Sequence, residues 1–259
     1  MRSFEDELRR VEPVARLICR TALLGKSVIF RGAEHIVRTG PSIIVGNHCG
    51  SYKDVAGVYL SFPRPLFFTA NRNIFRRDTL NAMVRKHLRK QLKGFAGAAH
   101  LLISPFLSLV VTWVTSNIEK VGAIPVDLYN HDGKHEAIRR SIEYLRAGRA
   151  IVALQGRGRV VPQDPNPYVR AFSRGTSVIA FEMFDRHGVD VPVTPVALFG
   201  TQVPFLIPGK VRITVGAPMY VSQHLAGGLE ATADRFKDAL EAAVKGLLLD
   251  AIRAQGARS

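Results

Sequence analysis

In "IIVGNHCGSYKDVAG", residues 43–57, an apolar run ends in Asn47-His48, and an acid, Asp54, follows as a helical pattern begins. Histidine changes its charge near neutral pH. A carboxylate on one ring nitrogen fixes the tautomer and stabilises the imidazolium, leaving the other nitrogen as a general base. A His and an Asp this close also arise by chance, so position has to argue the case. His48 leaves a β-like run between Gly46 and Gly50, at the kind of strand end where α/β proteins build sites, and Asp54 can fold back to the ring from the first helical turn. Cys49 invites a thiol nucleophile, but adjacent residues on an extended chain point to opposite faces.

The surrounding pattern supplies the elements such a pair needs. Short β-like runs occur at 27–30, 42–46, 66–70, 122–126, 150–154, 193–198 and 211–215. Helical segments separate them, notably "KHEAIRRSIEYLRAG" and "GTSVIAFEMFDRHG", with Gly148 and Gly188 as their C-caps. Strand and helix alternation predicts an α/β fold, a central mixed sheet covered by helices. The first 25 residues read as an amphipathic helix: Phe4, Leu8, Val11, Ala15, Ile18 and Ala22 form one stripe, Arg9, Arg16 and Arg20 fall off it, and Pro13 marks a kink. Such a helix packs on the domain or lies on a membrane. A last helix over about 228–254 carries a core stripe from Leu229 to Ala251. No repeat or interdomain linker is visible, so 26–259 reads as one domain after the 1–25 helix.

At 259 residues and 47% hydrophobic, the chain can bury a sizeable core. Its 36 Lys and Arg against 21 Asp and Glu favour an anionic partner without choosing among nucleic acid, phospholipid headgroups and phosphorylated substrates. Two cysteines, Cys19 and Cys49, at no metal-like or disulfide-like spacing point to a reducing compartment. The acids Glu5, Asp6 and Glu7 argue against a cleavable secretory signal.

One stretch bears on the partner. Residues 72–93 hold eight Lys or Arg and one acid, Asp78, with Leu80, Met83, Val84, Leu88 and Leu92 on one helical face, a basic amphipathic helix. The next 25 residues, 94–118, contain no Asp, Glu, Lys or Arg. Their small residues, His100, Pro105 and several Ser and Thr leave a strongly apolar core of 101–114 only, which favours a buried or interface-embedded helical hairpin over a span. By itself the basic face also fits a solvated helix surface, but a cationic face beside an apolar run favours 72–118 as a membrane-associated segment, expected on the cytoplasmic face of an anionic lipid membrane.

"VGNHCGSYKD" resembles the first motif of the glycerolipid acyltransferase superfamily, which includes bacterial 1-acylglycerol-3-phosphate acyltransferase and in which Asn-His is followed by an Asp. Further blocks follow in that family's order. "VGAIPVD" at 121–127 resembles its second motif, "ALQGRGR" at 153–159 stands where its Pro-Glu-Gly-Thr-Arg motif belongs, and "FSRG", "VTPVALFG" and "VRITVGAPM" resemble later segments. The resemblance implies that His48 is the base and Asp54 its orienting partner. It assigns acceptor binding to Gly122, Gln155, Gly156, Arg157 and Arg159. It further implies no metal and no cofactor beyond acyl-CoA or acyl carrier protein as co-substrate, and a lysophospholipid or related lipid as acceptor.

This chain departs from the pattern in three places. Five residues rather than four separate His48 from Asp54, Leu128 stands where an Arg follows the second motif, and Gln155 replaces an acid, with arginines at 157 and 159 around Gly158. The last two changes fall on the blocks credited with gripping the acceptor's phosphate, so the reaction class is better supported than the substrate. An acyltransferase-fold protein that has lost catalysis and binds or transfers lipids is the main alternative. A nucleic-acid binder rests on charge alone, without a recognition motif. A serine hydrolase lacks its Gly-x-Ser-x-Gly.

Overall fold

A computed structural model describes residues 4–48, 52–91, 96–127, 131–155, 169–205 and 207–256. Its elements are α1 (Phe4–Ala22), β1 (Lys26–Arg31), β2 (Ser42–Asn47), α2 (Tyr52–Ser61), β3 (Leu66–Asn71), α3 (Arg77–Gln91), α4 (Ala96–Asn117), β4 (Ile124–Val126), α5 (His131–Arg146), β5 (Ala150–Gln155), α6 (Gly175–His187), β6 (Val193–Phe199), β7 (Gly209–Val215) and α7 (Leu229–Gly256). They fall into two compact units, Cys19–Phe67 with Ile138–Ser259, and Met1–Ile18 with Phe68–Ala137.

The larger unit is built on a mixed sheet whose strands run in the order β1-β7-β6-β2-β5. Neighbours are parallel except β6 and β7. β2 lies between β6 and β5 and every residue of it is buried, which is why its sequence is a continuous apolar run rather than an alternation. β7 alternates, with Val211, Ile213 and Val215 buried and Lys210, Arg212 and Thr214 less so. α7 packs on β6, β7 and α6, and α2 reaches β7 where Gly57 leaves room for the Ile213 side chain. The expected C-caps are present. Gly188 at φ 65° closes α6, and Gly148 at φ 72° follows the last turn of α5, both conformations that lack a Cβ penalty only in glycine.

In the smaller unit α3 and α4 pack against each other as a helical hairpin, and Thr69–Asn71 of β3 pair in parallel with Ile124–Val126 of β4. α4 is a single helix that carries Pro105 within it. No described helix is long and apolar enough to cross a membrane. Two apolar side chains of α4 face solvent nonetheless, Phe106 at 55% and Leu109 at 71% exposure, with Met83 of α3 also exposed. Arg72, Arg76, Arg77, Arg85 and Lys86 are exposed in the same unit.

Candidate active site

β2 and α2 place the two residues the sequence singles out. At the end of β2, His48 donates its backbone N–H to the Gln155 carbonyl at 2.8 Å, so the strand's pairing with β5 continues into the histidine. α2 begins at Tyr52 and carries Asp54 in its first turn. The His48 Nδ1 lies 2.8 Å from the Asp54 Oδ2. The carboxylate is fully buried and the imidazole side chain keeps 34% of its surface. An ionised carboxylate only accepts, which assigns the ring proton to Nδ1 and leaves Nε2 with a free lone pair. Five intervening residues are thus compatible with the contact; the connection that allows it, 49–51 with Cys49, lies outside the described residues.

Asn47 is a residue the sequence reading quoted without giving it a task. Its side chain is buried, and its Nδ2 donates to the Leu198 carbonyl at 2.9 Å while its Oδ1 accepts the Leu198 N–H at 2.7 Å. The backbone ladder between β2 and β6 runs from Ile43↔Val193 to Gly46↔Val196, so the carboxamide adds a further rung beyond it and fixes the strand end on both sides. Gly46 lets the strands approach: a Cβ there would lie 2.5 Å from the Val196 carbonyl oxygen. Gly46→Ala is therefore expected to force β2 from β6 and lower stability by about 1–3 kcal/mol; urea unfolding measures it, and an unchanged midpoint would contradict the packing account.

Gln155, opposite Asn47 in register, has its side chain engaged within the fold. Its Oε1 accepts from the Ser173 N–H at 3.3 Å and the Ser173 Oγ at 3.1 Å, and its Nε2 is 3.5 Å from the Thr176 Oγ1. It thereby ties the end of β5 to the start of α6. Arg174, in the same segment, joins α6 to α7 through Nε donating to Asp234 Oδ1 at 2.6 Å and a further bond to Glu230. Gly122 sits in the smaller unit, buried in the turn before β4 at φ 76°, its N–H on the Glu119 carbonyl at 2.9 Å. Gly156, Arg157 and Arg159 lie outside the described residues. So His48, Asp54, Asn47 and the Gln155 backbone are brought together. Among the described residues, no cluster of His, Cys, Asp and Glu has the makings of a metal site.

No protein-family model and no curated protein matches the sequence. The three-dimensional arrangement does have a counterpart among solved structures, and it is an acyltransferase fold. The structure is that of the 1-acyl-sn-glycerophosphate (LPA) acyltransferase, PlsC, from Thermotoga maritima, similar at a TM-score of 0.58 and 21% identity over 95% of this chain and 83% of that one. At that identity the likeness is one of fold.

Proposed function

We propose that the chain is a membrane-associated O-acyltransferase that moves an acyl group from acyl-CoA or acyl carrier protein to a hydroxyl of a lysophospholipid or related lipid. The observation that carries the reading is the 2.8 Å contact between a part-exposed imidazole and a fully buried carboxylate at a strand end, within an acyltransferase fold. His48 Nε2 removes the proton of the acceptor hydroxyl as the oxygen attacks the thioester carbon. Collapse of the tetrahedral adduct breaks the C–S bond, and the imidazolium returns its proton to the departing thiolate. Asp54 orients the ring and stabilises its charged form without taking the proton. No acyl-enzyme forms, and the gain comes from holding two substrates in line with one base.

In this reading Arg157 and Arg159 grip an anionic headgroup by charge-assisted hydrogen bonds. Gln155, already committed to Ser173 and Thr176, contributes by shaping the start of α6. Incubating purified protein with a panel of lysolipids and acyl-CoAs, followed by lipid extraction and mass spectrometry, tests the proposal. A folded protein that makes no diacyl product and releases no free CoA across the panel overturns it. The substitutions at Leu128 and Gln155 favour one second reading, a lipid-binding protein that has lost catalysis, which predicts lysolipid retention with the thioester intact.

The membrane part of the proposal rests on the α3–α4 hairpin, where exposed arginines accompany Phe106 and Leu109. Charge attracts such a surface to anionic lipid and apolar side chains keep it there. The protein is expected to stay on anionic vesicles at about 1 M salt, where the screening length falls to ~3 Å. Phe106→Ser with Leu109→Ser is expected to convert this to salt-sensitive binding in a vesicle flotation assay. Full release of the unaltered protein by salt would show that insertion plays no part.

A further inference from the structure

We infer that Lys53 is a positioning residue of the His48–Asp54 site: its buried ammonium ties the first turn of α2 to the β6–β7 connection and so holds the turn that presents Asp54. Only the kinetic arm of the test below rests on the acyltransferase reading.

Lysine is almost never fully buried unless its charge is paired, yet Lys53 keeps 1% of its surface. Its Nζ donates to the Val203 carbonyl. Val203 belongs to the connection between β6 and β7, a segment that turns at Gly200, where φ is 88° and a Cβ would fall 2.1 Å from the Lys210 carbonyl oxygen. The Val203 N–H donates back to the Gly200 carbonyl at 3.3 Å. Lys26, at the start of β1, holds the same connection from another side, with its Nζ on the Pro204 carbonyl at 2.8 Å and on the Ile207 carbonyl. Three main-chain oxygens of one short segment are therefore turned towards two ammonium groups.

The arrangement is costly. Burial pushes the Lys53 ammonium below the ordinary lysine value, the nearby Lys26 charge pushes it further, and the Asp54 carboxylate offsets part of this. An unbranched apolar side chain could fill the same space without removing a charge from water, and such replacements of buried charge are often neutral or stabilising. What an apolar side chain lacks is direction. A hydrogen bond from Lys53 to a fixed carbonyl sets the rotation of α2 about its axis. Asp54 is the next residue of that turn, and successive helical residues are about 100° apart, so a modest rotation carries its carboxylate off the His48 Nδ1.

Lys53→Met and Lys26→Met, each made in the full chain, separate this role from general support of the connection. Both remove a tie to the same segment, but only Lys53 reaches it from α2. Amide hydrogen exchange across 200–205 is expected to quicken in both variants. The Nδ1 proton of His48, identified in proton NMR spectra by its loss in His48→Gln, is expected to shift or broaden in Lys53→Met and to persist in Lys26→Met. With a lysolipid and acyl-CoA pair taken from the panel, Lys53→Met should lower kcat by about 10–100-fold, KM changing less than about twofold, while Lys26→Met keeps kcat. A folded Lys53→Met protein with an unchanged Nδ1 proton overturns the inference. Equal changes in both variants overturn it too. Should Lys53→Met fail to fold, Lys53→Gln, which keeps a donor of shorter reach, is expected to show the same shift, and an unshifted proton there counts equally against it. If no variant and no unaltered protein turns over any pair, the NMR outcome still decides the role of Lys53 and the functional reading alone fails.

Discussion

His48→Ala is expected to leave a folded protein whose acyl transfer falls by about 10²–10⁴-fold, the usual contribution of a positioned general base. Asp54→Asn should approach the same loss by a different route. A carboxamide at that place can donate as well as accept, so it no longer holds the proton on Nδ1, and a ring protonated at Nε2 has no lone pair for the acceptor hydroxyl. Because the two groups perform one joint task, the double variant should be scarcely slower than His48→Ala alone. Product formation measured alongside circular dichroism and unfolding midpoints separates this outcome from additive structural damage. Near-normal transfer by a folded His48→Ala protein would reduce the end of β2 to a strand followed by a polar loop, and the enzyme reading would end with it.

Deleting Ser51, which restores the four-residue spacing of the acyltransferase family, is expected to abolish transfer rather than improve it. The Nδ1–Oδ2 contact is already made at 2.8 Å with five residues between the pair. Removing one demands either that α2 start one residue later, turning Asp54 by about 100° away from the ring, or that α2 move bodily. The second is opposed by the Val203 tie at Lys53 and by the close fit of Gly57 on Ile213. A loss of about 10²-fold or more is expected, in line with misplacement of a catalytic group by an ångström. Activity at or above that of the unaltered chain would mean that the fifth residue is surplus, and that the contact forms in spite of it.

The sheet and helix order could be read from the sequence because the strands inside the larger unit's sheet, unlike its edge strand β1, bury both faces or one, and their apolar residues say so directly. β2 shows it as "SIIVG" and β7 as Val211, Ile213 and Val215 at alternate positions. The His48–Asp54 pair was legible for a related reason: a strand end, a short connection and a first helical turn form a local unit, so their proximity follows from few residues. What stayed hidden depends on distant parts of the chain. Asn47 looks like any polar residue after a strand until Leu198 is placed beside it. Lys53, in a helix that starts with Tyr52 exposed, reads as a solvated charge, and only the β6–β7 connection buries it. Gln155 reads as a residue that could touch substrate, and the hydroxyls of Ser173 and Thr176 that occupy its side chain come from a segment no local pattern links to it. In the 72–118 stretch, composition favoured a basic helix followed by a hairpin-like apolar run. Residues 96–117 instead form a single helix that continues through Pro105 and packs against α3.

The Asn47 rung also governs when the site comes into being. Asn47 and Leu198 are 151 residues apart in the chain, so the strand end that launches His48 is complete only after most of the polypeptide has been synthesised. Contacts of such long sequence separation pay their loop-closure entropy before they return anything, and they are made late and slowly. A nascent chain that has emerged only as far as α4 already carries its arginines and its outward Phe106 and Leu109, but neither neighbour of β2. On the ribosome the exposed arginines, Phe106 and Leu109 are thus made well before the strands that hold the end of β2, and a chain cut short anywhere before β6 lacks the neighbours that fix Asn47 and His48 however well its amino-terminal half has folded.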